Sequence, residues 1–302
     1  MSYQSIYRAD LFKGQIMIVT GGGSGIGRCT AHELASLGAT VAIVGRKREK
    51  LDAVKLEIEA TGGVTSIHVC DIREEESVIA TIDQVLEVHG KIDGLVNNAG
   101  GQYRMPAEDI TTKGFEAVVK NNLVGGFIFM RETYKRWMKA NGGAIVNMIA
   151  DIWNGWPNYS HSAAARGGMW TLTESVASEW ASYGVRVNAV APGCIASSGL
   201  DTYEPEAQAH FAEIPKTIPL QRWGNAAEIS SAIVYLLSPG AAYITGACIR
   251  IDGGSPNARI CWGPLRKECN SEAFDGFHLE APPKVLLEGP KKHSSRKPKS
   301  DV

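Results

Sequence analysis

Short apolar runs alternate with amphipathic stretches along most of this chain. Ile16-Met17-Ile18-Val19 is apolar throughout, as a strand buried on both faces requires. Residues 28–38 follow with Cys29, Leu34 and Leu37 on one helical stripe. The pattern predicts a second strand over 41–44, a helix over 50–60 ended by Gly62-Gly63, and a third strand over 66–70. A helix over 74–89 carries Val78, Ile82, Val85 and Leu86 on one face, and 94–96 is a fourth strand. Further on, 228–237 is an amphipathic helix and 247–251 the last strand. Strands alternating with helices predict an α/β fold built on a doubly wound parallel sheet.

The stretch Thr20–Gly27, TGGGSGIG, sits between the first strand and the first helix. Gly21 and Gly25 let the backbone turn tightly and approach a diphosphate, and Gly27 lets the helix pack close to the strand. The helix N-terminus offers free N–H groups to phosphate. At the end of the second strand, where an acidic residue would bind the ribose 2′-hydroxyl of NAD, stand Arg46, Lys47 and Arg48, with no carboxylate before Glu49. This cluster either grips the 2′-phosphate of NADP or is a solvated first turn of the next helix. The second is disfavoured because positive charge at a helix start opposes the helix dipole.

At 302 residues the chain can bury one large core. With 31 basic against 32 acidic residues, no global signal for nucleic acid or membrane exists. No apolar run is long enough to span a bilayer, and the polar, charged residues 1–12 do not read as a signal peptide. The six cysteines show no CxxC spacing, which argues against a metal site or a disulfide framework and for a cytoplasmic protein.

Asn97-Asn98-Ala99-Gly100 ends the fourth strand; adjacent amides there can cross-link strands and line a ligand crevice. Together with TGGGSGIG, Asn122-Leu123, Ile145-Val146-Asn147, Arg186-Val187-Asn188, Pro192-Gly193 and Ile251-Asp252-Gly253-Gly254, the chain resembles the short-chain dehydrogenase/reductase family from Gly14 to about Ser255. The resemblance implies a Rossmann-type single domain, a nicotinamide cofactor and hydride transfer to or from a small molecule. It implies that Gly21, Ser24, Ile26 and Gly27 form the phosphate loop and that Arg46, with Lys47 beside it, chooses NADP(H). Asp71 and Ile72 fall beside adenine, Asn98 and Gly100 at the ribose-side turn, and Pro192, Ile195 and Ser197 at the nicotinamide carboxamide. Asn122 matches the active-site asparagine whose backbone holds a water for proton relay.

The family's catalytic Tyr and Lys are missing. Their positions fall on Ser162 and Arg166, and the usual serine position falls near Ile149 or Ala150. Ser162 is too weak an acid to replace tyrosine unaided, whereas Arg166 keeps the cation, able to hold ribose hydroxyls and to lower a nearby phenol's pKa. His161-Ser162-Ala163-Ala164-Ala165-Arg166-Gly167-Gly168 resembles the corresponding stretch of peroxisomal trans-2-enoyl-CoA reductases, and 2,4-dienoyl-CoA reductases likewise carry Ser in the Tyr position. Such a site suits hydride addition to a conjugated thioester. There hydrogen-bond donors stabilise an enolate oxygen and a separate acid protonates carbon.

Three side chains compete for that acid. Tyr159 lies three before Ser162 and seven before Arg166, which aligns them on one helical face unless Pro157-Asn158 delays the helix and leaves Tyr159 in the preceding loop as an ordinary half-buried tyrosine. Asp151 lies fifteen before Arg166, where dienoyl-CoA reductases carry their catalytic Tyr; it is either an acid or a salt-bridge partner of Arg166, and beside Arg166 its pKa should fall. His161 is either a donor near neutral pH or a polar helix-start residue. Tyr103 either borders the substrate or is a plain loop aromatic.

The resemblance implies a domain over 1–255 with a substrate lid over 198–219, which here carries Tyr203, Phe211, Pro205 and Pro215. Residues 256–289, with Trp262, Phe274 and Phe277, are too aromatic for a free tail and should pack on the body or a neighbouring subunit; 290–302 is a basic tail expected to be disordered. The C-terminal Ser-Asp-Val is not a peroxisomal address of the SKL type. The resemblance implies a homotetramer of dihedral symmetry that pairs the helices after the fourth and fifth strands, and Phe127, Phe129, Met169, Trp170 and Trp180 there exceed one apolar stripe. Three activities fit: an NADP(H)-dependent enoyl-thioester reductase, an alcohol or carbonyl oxidoreductase on branched or terpenoid substrates, or an NADP-binding protein that has lost catalysis.

Overall fold

The computed structural model describes residues 1–258, 265 and 270–289; the expected basic tail and Trp262 lie outside these. Seven strands form one sheet: β1 (Ile16–Thr20), β2 (Thr40–Gly45), β3 (Val64–Val69), β4 (Gly94–Asn97), β5 (Gly143–Met148), β6 (Val185–Pro192) and β7 (Cys248–Ile251). Their order is β3-β2-β1-β4-β5-β6-β7, and every pairing is parallel. Ile18 of β1 lies beside Ala42 of β2 and Leu95 of β4, so β1 is where the winding reverses. A crevice opens at the carboxyl ends of β1 and β4, the position at which open α/β sheets bind ligands.

The flanking helices are α1 (Gly25–Ser36), α2 (Arg48–Ala60), α3 (Glu75–His89), α4 (Thr112–Val119), α5 (Gly125–Thr133), α6 (Lys139–Asn141), α7 (Ser160–Trp180), α8 (Pro205–Gln208), α9 (Ala226–Leu237) and α10 (Lys284–Glu288). Helices α4, α5 and α6 follow one another through π-turns at Lys120–Val124 and Tyr134–Met138. One face of the sheet packs Ile18, Leu95 and Val187 with Val78, Ile82, Phe129 and Met169; the other packs Met17, Val41 and Val146 with Leu34, Leu51, Ile58 and Ile233. Boundaries move outward from the sequence reading by a residue or two in most elements. The first helix moves most, beginning at Gly25 inside the glycine loop.

Phe129, Met169 and Trp180 are buried within the chain, and Trp180 stacks on Tyr134 with ring centroids 4.2 Å apart. They therefore cover nothing on a partner, which corrects their use as evidence for a tetramer; of the five, only Phe127 and Trp170 stay partly exposed. The described part of the C-terminal segment packs on the body. Phe277 is buried beside Tyr3, His32 and Arg28, and Phe274 O accepts a hydrogen bond from Asn225 Nδ2 at 2.9 Å. Val285 N donates to Asp201 Oδ1 at 2.9 Å, so this segment also reaches the lid.

Candidate active site

The glycine loop is shaped by contacts that leave no room for side chains. Gly21 has φ +69°, and a Cβ there would stand 2.7 Å from Asn98 Nδ2. A Cβ on Gly27 would run into Gly21 O, which is why α1 can begin so close to β1. Asn98 holds the loop from the other strand: its backbone N–H donates to Thr20 Oγ1 at 3.0 Å and its Nδ2 to Thr20 O at 2.9 Å. Ile26 packs inward between two apolar clusters. The result is a cradle open to a diphosphate and closed to a Cβ at Gly21 and Gly27.

Gly21, Ser24, Arg46, Lys47, Asp71, Ile72 and Gly100 line one cleft at this crevice. Lys47 is the N-cap of α2 and makes no side-chain cap bond. Arg46 and Lys47 are exposed and make no direct ion pair among the described residues, so two cations stand at the start of α2 with Asp71 across the cleft. The solvated-turn geometry and the anion-binding chemistry therefore coincide here. Asp71 is pulled down to about 2, chiefly by hydrogen bonds from Arg73, with the Arg46 charge contributing. Opposite the loop, Pro192 ends β6, Gly193 N donates to Ile251 O at 2.9 Å, and Ile195 bridges to Gly224. A Cβ on Gly25 would lie 3.9 Å from Ser197 Cβ, so residues 192–197 face the cradle.

The adjacent amides divide their work. Asn98 serves the loop, while Asn97 Nδ2 donates to Gly126 O at 2.8 Å and to Asn147 Oδ1 at 3.2 Å. Asn147 Nδ2 continues to Thr173 Oγ1 at 2.9 Å, tying β4, α5, β5 and α7 into one buried polar chain. Asn122 is buried in the first π-turn, a device common at functional sites. Its Oδ1 accepts from Gly101 N at 2.9 Å and its Nδ2 donates to Gly101 O at 2.7 Å, fixing the turn that follows β4.

Arg166 is buried in α7, and its Nη1 donates to Met148 O at 2.6 Å. A Cβ on Gly100 would collide with its Nη2 and stand 2.5 Å from Asn122 Oδ1, so Gly100, Asn122 and Arg166 meet at one point. Burial lowers the Arg166 pKa to about 10, which leaves it charged at neutral pH. It forms no ion pair with any described carboxylate. A buried, unpaired guanidinium is costly to a fold and marks a place where a ligand supplies the partner.

Asp151 is not that partner. Its neighbours are Asp252, Arg250 and Ser255, and Oδ1 is buried with no hydrogen bond. Burial first, and then the Asp252 charge, raise its pKa, the opposite of the fall expected beside Arg166. Tyr159 is the N-cap of α7, so the helix does begin after Pro157-Asn158. The cation whose charge acts on its phenol is Arg104 and not Arg166, and burial and Tyr203 outweigh it and raise the pKa, so the phenol is not acidified. Its ring stacks on Trp156, centroids 4.9 Å apart. Ser162 is fully buried, and its Oγ donates to Gln102 Oε1 at 3.3 Å. His161 is buried in the first turn with Nε2 unpartnered, its ring edge-on to Tyr103 at 4.5 Å. Gln102 was not among the candidate site residues, although the stretch Gly100-Gly101-Gln102-Tyr103 resembles that of enoyl-CoA reductases.

The family description enoyl-(acyl carrier protein) reductase matches residues 21–255. This chain belongs to the short-chain dehydrogenase/reductase family. It is 52% identical to the citronellol catabolism dehydrogenase of Pseudomonas aeruginosa PAO1, whose solved structure matches with TM-score 0.76 over 84% of this chain and 100% of that one. It is 37% identical to a probable 2,4-dienoyl-CoA reductase of Bacillus subtilis, over 79% of this chain and 95% of that one. It is also 35% identical to the levodione reductase of Leifsonia aquatica, over 82% and 96%. As a short-chain dehydrogenase/reductase it is an oxidoreductase that binds a nicotinamide cofactor, and the Gly21–Gly27 cradle fits that cofactor's diphosphate. Among the described residues, no helix is long and apolar enough to cross a membrane.

Proposed function

We propose that this short-chain dehydrogenase/reductase uses NADP(H) to reduce the carbon–carbon double bond of an enoyl thioester or a similar conjugated substrate. The observation that carries the reading is the pair Ser162 and Arg166, both buried at the crevice where typical relatives use a Tyr and a Lys. A carbonyl reductase must protonate a developing alkoxide, a task for which a serine hydroxyl is a poor acid. An enolate oxygen needs only hydrogen-bond donors, which serine can supply. When bound, the reduced nicotinamide supplies a hydride to the β-carbon of the substrate. The chain's own residues then steady charge on the thioester oxygen through Ser162 and deliver one proton to the α-carbon from Tyr159 or Asp151. Arg166 would hold the ribose side of the cofactor, and Gly21, Ser24 and Gly27 its diphosphate.

A second reading, alcohol or carbonyl chemistry on a branched or terpenoid aliphatic substrate, is favoured by the citronellol-catabolism relative at 52% identity. Both readings share an apolar cover. Trp156, Tyr159, Tyr203, Phe211 and Trp223 form a continuous line of aromatic contacts, with Tyr203 and Phe211 centroids 5.9 Å apart. NADPH oxidation measured over straight and branched enoyl-CoAs against the matching aldehydes separates them. Turnover of enoyl-CoAs alone supports the first reading, and turnover of aldehydes alone replaces it with the second. Tight NADPH binding with no turnover of either class would mean that catalysis has been lost.

For cofactor choice, Arg46 and Lys47 are the residues on which NADP over NAD rests. Losing one charge-assisted hydrogen bond costs roughly 1.5–3 kcal/mol. Arg46→Ala should therefore raise the NADPH dissociation constant about 10–100-fold and leave NADH nearly unchanged. Isothermal titration with both cofactors checks this, and equal losses would remove Arg46 from the role.

A further inference from the structure

Residues 198–219 cover the site as three short helical turns, and Tyr203 closes the first of them. Its ring belongs to the aromatic line, but its hydroxyl does something the other four rings do not. It accepts from Gln102 Nε2 at 3.5 Å, and it pairs with the phenol of Tyr159. The other end of the same amide, Gln102 Oε1, accepts from Ser162 Oγ at 3.3 Å. One side chain of the cover thus joins Ser162 and Tyr159, the two hydroxyls that stand closest to the roles of oxyanion donor and proton donor.

We infer that Gln102 and Tyr203 are positioning residues that set the direction in which Ser162 and Tyr159 present their protons. This rests on the reading that those two hydroxyls serve the reaction. The chemistry lies in the amide, which has one accepting end and one donating end. With Oε1 toward Ser162, the serine hydrogen is spent on Gln102 and is unavailable to substrate. With the amide reversed, Nε2 donates to Ser162 Oγ and frees the serine hydrogen for the thioester oxygen. Tyr203 then donates to Oε1 and its oxygen accepts from Tyr159, so each setting of the amide frees one of the two protons: the Tyr159 hydrogen with Oε1 toward Ser162, the serine hydrogen with the amide reversed. Either arrangement is complete without loss of a hydrogen bond, and choosing between them needs the cover to be seated with Tyr203 in place. Seating the cover and aiming the donors are then one event.

The test is a set of variants chosen to separate donation from shape. Tyr203→Phe keeps the ring and loses the hydroxyl. Gln102→Glu keeps shape but can only accept, which pins the serine hydrogen away from substrate. Gln102→Met loses both ends. Each should lower kcat on enoyl-CoA about 10–100-fold, with KM and the NADPH dissociation constant within about threefold, since misaimed donors act on the transition state. Tyr203→Phe combined with Gln102→Met should cost little more than either alone, because they act as a unit. A kcat within about twofold of wild type for both Tyr203→Phe and Gln102→Glu overturns the inference, as does a loss confined to KM. If wild type reduces no enoyl thioester, the functional reading falls first, and the variants are compared on whichever aldehyde or alcohol it does turn over. Tryptic nicking after the exposed Lys216 needs no turnover at all. It should rise severalfold in Tyr203→Phe and Gln102→Met and stay at the wild-type rate in Gln102→Glu, which still accepts from Tyr203. Equal nicking in all four proteins overturns the link between cover and site.

Discussion

Arg166→Met should lower kcat/KM by a factor on the order of 10³–10⁵ while leaving the unliganded chain at least as stable as wild type. Two losses combine in activity. Charge-assisted hydrogen bonds to the cofactor are worth about 10–100-fold in affinity. Removal of a preorganised positive charge from a site where negative charge develops costs about 10²–10³-fold more. Stability should move the other way. Arg166 is buried, its only hydrogen-bond partner among the described residues is Met148 O, and desolvation brings its pKa down to about 10. Replacing an unpaired buried charge by an apolar side chain of similar volume is neutral or stabilising. Thermal unfolding of the unliganded protein and steady-state kinetics check the two halves separately. Arg166→Lys, which keeps the charge, should retain more activity than Arg166→Met. A Met variant that unfolds much earlier than wild type would mean that Arg166 is a structural residue of α7.

Tyr159→Phe should cut kcat about 10²–10⁴-fold, the usual worth of a general acid, with little change in NADPH affinity. The phenol is half-buried at the start of α7, and burial together with Tyr203 holds its pKa above the ordinary tyrosine value. It is therefore protonated throughout the neutral range. Asp151 is the rival, and its surroundings make it a better rival than its sequence position suggested. Oδ1 is buried without a partner, and burial and Asp252 raise its pKa above the usual carboxylate range. If Asp151 is the acid, Asp151→Asn carries the loss instead. The pH dependence of wild-type kcat distinguishes them in sign and position, because an acid must be protonated to act. With Asp151 as donor, kcat is full at low pH and falls as pH rises through the raised carboxyl pKa. With Tyr159 as donor, kcat is level through neutrality and falls only under alkaline conditions. Should both variants stay active while Ser162→Ala alone abolishes turnover, the proton arrives through water near Asn122 and neither side chain is the displaced acid.

The sequence by itself determined the parallel sheet and the glycine cradle at the end of its first strand. Those features rest on local rules. A strand buried on both faces must be apolar, as Ile16–Thr20 is, and a backbone that approaches another backbone must lack a Cβ, as Gly21 and Gly27 do. Most of the residues expected to touch cofactor lie at or just beyond the carboxyl ends of strands and so converge on one crevice, whereas Arg166 reaches it from within α7. Only the tertiary structure decided which charged and polar groups face each other across that crevice. Its place fifteen residues before Arg166 made Asp151 a candidate salt-bridge partner, yet the chain after β5 carries Asp151 to Asp252 and Arg250, and its pKa moves up instead of down. Phe129, Met169 and Trp180 read as excess apolar surface until the sheet packs on them. Gln102 stands in a family-like stretch and Tyr203 in the expected lid, but nothing in either place pairs the two. They lie 101 residues apart and meet because residues 198–219 fold back over the turn that follows β4. Hydrogen bonds between loops depend on where two separate strands end, and no local pattern in a single chain records that distance.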